Sequence, residues 1–195
     1  VETWSTSEVA GKLVCKDVSI CDGKFPYPID HLAGEIEFTE LMVMANRLQG
    51  GHDKVGVCIS GWTRGFGEGR QYQYRVTSDN MVLDEALYAA LGPEQRELWD
   101  AFQPRGVIGV DYRLARTSPT DKQMNLTVNL NGVAADYREF PYPLRGLTGR
   151  LYFDRESILA TDLVSKTDTG EIRLHGKVTG RDIGKPVYYI SIEAD

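Results

Sequence analysis

Histidine and carboxylate side chains are the first groups of this 195-residue chain that could do chemistry. His52 and Asp53 are adjacent, and such a pair could supply a general base with its orienting carboxylate. Asp22 and Glu68 are further acids that could take the orienting role. A catalytic constellation of this kind requires all of its members, so an independent test of each residue is valuable.

The chain supplies such a test, because part of it is duplicated. The motif Phe25-Pro26-Tyr27-Pro28 returns 115 residues later as Phe140-Pro141-Tyr142-Pro143, and 11 of the 37 aligned positions from 25 to 61 are identical. A period of this length is typical of repeat architectures. No histidine recurs in the second copy: the aligned pairs are His31 with Gly146, His52 with Thr167, and Ser60 with His175.

The three cysteines fail the same test. Cys15, Cys21 and Cys58 are an odd set without metal-ligand spacing, and their counterparts are Leu130, Asp136 and Arg173. We therefore expect small, partly buried free thiols. A disulfide formed in an oxidising envelope compartment is the alternative.

Three other patterns also point away from a site. The glycine-rich segment 65–69 resembles a phosphate loop, but such a loop opens a helix, whereas 72–76 alternates like a strand. The acidic run at Glu35, Glu37 and Glu40 becomes Arg150, Tyr152 and Arg155 in the second copy, which indicates a solvated strand face. Tyr72, Tyr74, Tyr188 and Tyr189 could stack on sugars or bases, but exposed tyrosines are common on strands and the acidic net charge disfavours nucleic acid. We expect no catalytic residue, cofactor or metal, and an enzyme is the least favoured class.

Composition describes an ordinary globular chain with an acidic balance. Hydrophobic residues make up 42% and charged residues 26%, with a net charge of −6 and a pI near 5.2. This charge disfavours a nucleic-acid partner, because phosphate neutralisation needs a basic patch. No stretch approaches the roughly 18–20 apolar residues of a membrane-spanning helix.

The hydrophobic pattern predicts a β-dominated fold. Apolar and polar residues alternate through most of the chain, most clearly in 124–130, and this period of two is typical of half-buried strands. One segment has a helical period, with Leu83, Leu87 and Leu91 spaced four apart, Asp84 as a cap and Pro93 opening a second helix. We predict an all-β, elongated, curved antiparallel sheet with one short helical pair near 83–102. Its units are residues 1–105, which include the helices, and residues 106–195, a truncated second copy.

The chain resembles the AsmA-like superfamily of bacterial envelope proteins in three segments, Phe25 to Phe38, Phe140 to Phe153 and Leu83 to Pro93. The resemblance covers most of the chain and lies in turns, glycines and core-facing apolar residues. It implies a β-groove with an apolar concave face that binds or conducts phospholipid between two membranes. It further implies a periplasmic or cell-envelope location, and a parent protein whose membrane anchor lies outside this piece.

The apolar strand faces are the remaining functional candidate. Removing apolar surface from water is worth roughly 25 cal/mol per Å², so a single sheet cannot leave such a face exposed. We expect the lipid-facing groove to be lined by Ile36, Phe38, Val57, Ile59, Leu126, Val128, Leu130, Leu151, Phe153, Ile172 and Leu174. The alternative is a structural spacer or protein-interaction module whose core is closed internally. A continuous open trough favours lipid, and a close-packed two-layer core favours the spacer.

Truncated repeat units leave unpaired strand edges, which invite association. We therefore expect the piece to self-associate through the strand near Val187–Glu193 or the one near Lys12–Ile20. We also expect the parent chain to continue after Asp195 with a helix like Leu83–Leu91.

Overall fold

A computed structural model describes residues 9–137, 143–166, 170–180 and 187–194. Its described part contains eleven β-strands and two α-helices. The strands are β1 (Ala10–Ile20), β2 (Ile29–Thr39), β3 (Met42–His52), β4 (Val55–Arg64), β5 (Gln71–Val82), β6 (Val107–Arg116), β7 (Lys122–Ala135), β8 (Leu144–Phe153), β9 (Ile158–Lys166), β10 (Glu171–Thr179) and β11 (Val187–Ala194). The helices, α1 (Glu85–Ala90) and α2 (Pro93–Phe102), lie between β5 and β6.

All eleven strands form one open, uncurled sheet. Each strand pairs only with its sequence neighbours, and every pairing is antiparallel, so the spatial order equals the chain order. Hairpin connections between consecutive strands produce this meander, and the β5–β6 connection carries the two helices. The prediction of an all-β antiparallel fold is confirmed. The segments expected to self-associate lie at the two edges of the sheet, one in β1 and the other in β11.

The helical pair also forms where the sequence predicts it. The Asp84 side chain caps α1 by accepting a hydrogen bond from the Leu87 backbone N–H at 2.9 Å, and Pro93 occupies the first turn of α2. Gln103 ends α2 in a left-handed conformation with φ 42°. An Asp cap followed by apolar residues four apart is therefore a sufficient local signal here.

The helical pair is an insertion into the β5–β6 hairpin and packs on the sheet. Its base is closed by the hydrogen bond from the Leu83 backbone N–H to the Gly106 carbonyl oxygen, at 2.9 Å. Leu87 and Ala90 of α1 are buried in the main apolar cluster of the sheet. At the other end the Phe102 ring stacks on Tyr137, with centroids 4.6 Å apart. Contacts at both ends hold the helices against one face.

Backbone irregularities recur at the sequence offset of 115 residues. Residues with positive φ form four pairs at this offset: His31 with Gly146, Gly34 with Gly149, Arg47 with Asp162, and Gly65 with Gly180. A non-glycine residue with positive φ is uncommon, so matched positions indicate matched strand bulges. A Cβ at Gly149 would lie 2.8 Å from the Asp162 carbonyl carbon, which explains the glycine there.

The division into units 1–105 and 106–195 stays a prediction, because the sheet runs continuously from β1 to β11. Of the two FPYP motifs, only the first can be compared. Its Tyr27 is buried in the main apolar cluster. Of the second motif only Pro143 belongs to the described residues.

Candidate functional site

The strand register brings apolar side chains into line on one face of the sheet. Directly opposed residues of antiparallel strands share a face, so a row can be followed from strand to strand. One row crosses nine strands, β3 to β11, without a polar member apart from tyrosine hydroxyls. Its members are Leu48, Ile59, Val76, Tyr112, Leu126, Phe153, Ile158, Val178 and Tyr188. We call the face that carries this row the apolar face.

The row is long compared with a lipid chain. Eight inter-strand spacings of about 4.8 Å give a length of about 38 Å. Half of a bilayer's hydrocarbon core, the depth that one acyl chain fills, is about 15 Å. A second row on the same face runs beside it through Val110, Val128, Leu151, Ala160, Gly176 and Ile190. The apolar face therefore has the dimensions to hold extended acyl chains.

The opposite face is polar and carries an ion-pair cluster. Arg75 donates two hydrogen bonds to the Asp111 carboxylate, at 3.0 and 2.8 Å, and Arg113 donates two more, at 3.2 and 2.9 Å. These hydrogen bonds, Arg75 first and then Arg113, lower the pKa of Asp111 to about 2. A charged cluster of this kind suits a solvent-facing surface, so the sheet is amphipathic.

The helical pair covers only part of the apolar face. Val57, Val128 and Leu130 are buried in one cluster with Leu87 and Ala90 of α1. These three predicted groove residues are therefore not open to a ligand in this structure. Among the described residues no second sheet lies over the remainder of the face.

The other eight predicted groove residues are less covered. Six of them pack beside the buried cluster and stay half-buried: Ile59, Leu126, Leu151, Phe153, Ile172 and Leu174. Ile36 is also half-buried, at the β1–β3 side of the sheet. Phe38 is 38% exposed and lies across Gly11 of β1, where a Cβ would collide with its ring.

Several residues of the apolar face are absent from the predicted groove set. Among them are Val76, Tyr74 and Tyr112 near the middle of the sheet and Val178, Tyr188 and Ile190 towards β11. Tyr74 hydrogen-bonds the Thr63 hydroxyl, and burial raises the pKa of Tyr112. The alternation of Tyr72, Tyr74 and Val76 is the signal that identifies this strand face in the sequence.

The histidines do not form the catalytic arrangement considered from the sequence. The Nδ1 atom of His52 lies 3.3 Å from Asp30 Oδ2, rather than against Asp53, Asp22 or Glu68. Hydrogen bonds from Ser19 and then from His52 lower the pKa of Asp30. The His52 ring packs edge-on against Tyr27 at 5.6 Å, as an ordinary strand-end contact.

The remaining chemical candidates are also placed by the structure. The segment Gly67–Gly69 is a short 3₁₀ turn followed by β5, so the strand–loop–helix context of a dinucleotide site is missing there. Cys15 is buried, Cys58 half-buried and Cys21 exposed, and all three are free thiols. Within the described ranges no group of three or more His, Cys, Asp or Glu could hold a metal ion. The same ranges contain no helix with the length and apolar character needed to cross a membrane.

Comparison with known proteins adds no relative. No protein-family model matches the chain, and neither the curated proteins nor the solved structures contain a match to it. The resemblance to the AsmA-like superfamily therefore stays a hypothesis that depends on the motifs quoted above.

Proposed function

We propose that the apolar face binds phospholipid acyl chains and that the protein is a non-enzymatic lipid-binding piece of a larger envelope protein. The observation that carries the proposal is the apolar row across nine strands, backed by a polar opposite face. Burying such a surface is worth roughly 25 cal/mol per Å², so an occupant of matching chemistry is favoured. An acyl chain fits because it is long, narrow and apolar.

The wider role rests on the resemblance stated above. It extends the proposal to phospholipid conduction between two membranes, to a tandem-repeat β-groove and to a periplasmic or envelope location. The recurrence of positive-φ positions at the 115-residue offset supports the repeat part of this proposal.

A structural spacer is the second candidate, and one observation favours it. The buried cluster beneath α1 shows that this chain covers part of its own apolar face. In a spacer the remaining face would be covered by other protein, and lipid would not bind. The two functions therefore differ in what contacts the half-buried part of the row.

Two pairs of cross-strand neighbours give a matched experiment. Phe153 and Ile158 oppose each other on the apolar face, while Tyr152 and Leu159 oppose each other on the polar face of the same two strands. One double variant carries Phe153→Lys and Ile158→Lys, and the control carries Tyr152→Lys and Leu159→Lys. The added charge is identical, so only the face differs.

Bound phospholipid is measured by native mass spectrometry after incubation of the purified protein with phosphatidylethanolamine–phosphatidylglycerol vesicles. We expect the wild-type protein and the control variant to carry phospholipid. The apolar-face variant should bind at least about tenfold less phospholipid, since a charge against an acyl chain is strongly unfavourable. Equal binding by both variants, or no binding by a folded wild-type protein, would contradict the proposal. Far-UV circular dichroism confirms that both variants fold.

A further inference from the structure

The polar face of the sheet contains an open cavity of about 620 Å³. Gly109, Asn129 and Arg150 oppose one another across it, two residues along their strands from Asp111 and Tyr152 of the same face. Its volume lies within the range of about 300–1,000 Å³ that is typical of small-molecule sites. The polar side chains that line it lie on β5, β7, β8 and β9 and are Asp79, Asn129, Asn131, Arg150 and Asp162.

Strand bulges line up at this cavity. The register of three strand pairs, β5–β6, β7–β8 and β8–β9, shifts at or next to Asp79, Asn131 and Gly149. Bulges re-aim side chains and are over-represented next to active sites. Gly109 leaves space for its neighbour, since a Cβ there would lie 3.3 Å from the Asn129 Nδ2 atom. The shape of the cavity is therefore set by the backbone of the sheet.

The five polar side chains of the cavity are available to a ligand. Within the described ranges they make no hydrogen bond or ion pair with other residues. The next row of the same face differs, because Asp111 there accepts hydrogen bonds from both Arg75 and Arg113. The cavity therefore retains donors and acceptors that the fold does not use, whereas the ion-pair cluster does not.

Two classes of charged ligand suit this set poorly. Asp79 on β5 and Asp162 on β9 are four inter-strand spacings apart, about 19 Å, so they cannot coordinate one metal ion together. A phosphate group would meet a single cation, Arg150, on a strand between those two carboxylates. An uncharged polar ligand avoids both difficulties.

We propose that this cavity binds a neutral oligosaccharide. Sugar hydroxyls both donate and accept hydrogen bonds, which matches a lining of two carboxylates, two carboxamides and one guanidinium. The span of about 19 Å from β5 to β9 suits several linked sugar rings better than one. Tyr152, 36% exposed and two residues from Arg150, adds a ring on the same face. The site lies opposite the apolar face, so the proposal goes beyond lipid binding and does not depend on it.

An array of immobilised neutral oligosaccharides, from di- to hexasaccharides of glucose, galactose, mannose and N-acetylglucosamine, is the probe. The full chain is applied without lipid, and the dissociation constant of the best oligosaccharide is measured by isothermal titration calorimetry. Its binding site is mapped by the NMR shifts of backbone amides. We expect tighter binding of the oligosaccharide than of its monosaccharide, with the largest shifts at the residues that line the cavity. Failure to bind any member of the array, or shifts confined to residues outside the cavity, would overturn the proposal.

Two asparagines of β7 give a matched pair of variants. Asn131 lines the cavity and Asn125 does not, yet both are exposed on the polar face of the same strand. We expect Asn131→Ala to weaken oligosaccharide binding about fivefold, the value of one hydrogen bond, and Asn125→Ala to leave it unchanged. Asp162→Asn should also weaken binding, and asparagine tolerates the positive φ of this position. Equal effects of the two alanine variants, or unchanged binding by Asn131→Ala and Asp162→Asn, would overturn the proposal.

Discussion

Leu87→Ala tests whether α1 is an integral part of the fold. Leu87 is 7% exposed and belongs to one buried cluster with Val57, Ile108 and Leu130. α1 has only six residues, too few for a stable isolated helix, so packing on the sheet must hold it in place. Truncating a buried leucine to alanine lowers the free energy of unfolding by about 2–5 kcal/mol, and the loss is larger where the surrounding residues cannot move in to fill the cavity. We expect a loss of about 3 kcal/mol in the free energy of unfolding.

The assay is urea unfolding followed by circular dichroism, with a thermal melt as a second measurement. For a chain of this size a 3 kcal/mol loss corresponds to a fall in Tm of about 6–12 °C. Leu98→Ala in α2 is the matched control, because Leu98 is 40% exposed, and it should cost less than about 1 kcal/mol. Equal losses for the two variants, or a loss below 1 kcal/mol for Leu87→Ala, would refute the packing of α1 on the sheet.

Three further predictions follow from local geometry. Asp111 has a folded-state pKa of about 2, below its ordinary 3.8, so the stability that it contributes is present above pH 4 and is lost as the pH falls from about 4 to 2. In Asp111→Asn the melting temperature should therefore depend less on pH between about pH 4 and 2 than in the wild-type protein. Asp84→Ala removes the cap of α1 and should cost about 1 kcal/mol in urea unfolding. Gly149→Ala should lower the free energy of unfolding by more than about 1 kcal/mol, because φ at this position is 123° and the added Cβ would meet the Asp162 backbone. In the control Gly23→Ala the added Cβ meets no atom within 4 Å, so the free energy of unfolding should not change.

Local patterns predicted the elements because their causes are local. Alternation from Met124 to Leu130 follows directly from the pleat of β7, and Asp84 with leucines four apart is enough to define α1. Turn residues between alternating runs favour antiparallel neighbours, which accounts for the meander. These features needed no information about distant residues.

Long-range register could not be predicted in the same way. Positive φ at Arg47 and Asp162 belongs to bulged strands. Aspartate tolerates this conformation but arginine has no preference for it, so residue type does not predict the matched pair. Burial of Val57 and Leu130 beneath α1 depends on contacts between segments far apart in the chain. The pairing of His52 with Asp30 rather than with its neighbour Asp53 likewise depends on how β2 and β3 align.

The central claim is that lipid lies along one face of this sheet. Photo-crosslinking with a phospholipid that carries a diazirine in its acyl chain, mapped by tandem mass spectrometry, tests it most directly. We expect label on Leu126, Phe153, Ile158 and other members of the nine-strand row, and little on Tyr152 or Leu159 of the polar face. Label distributed equally between the two faces, or confined to the loops, would contradict it.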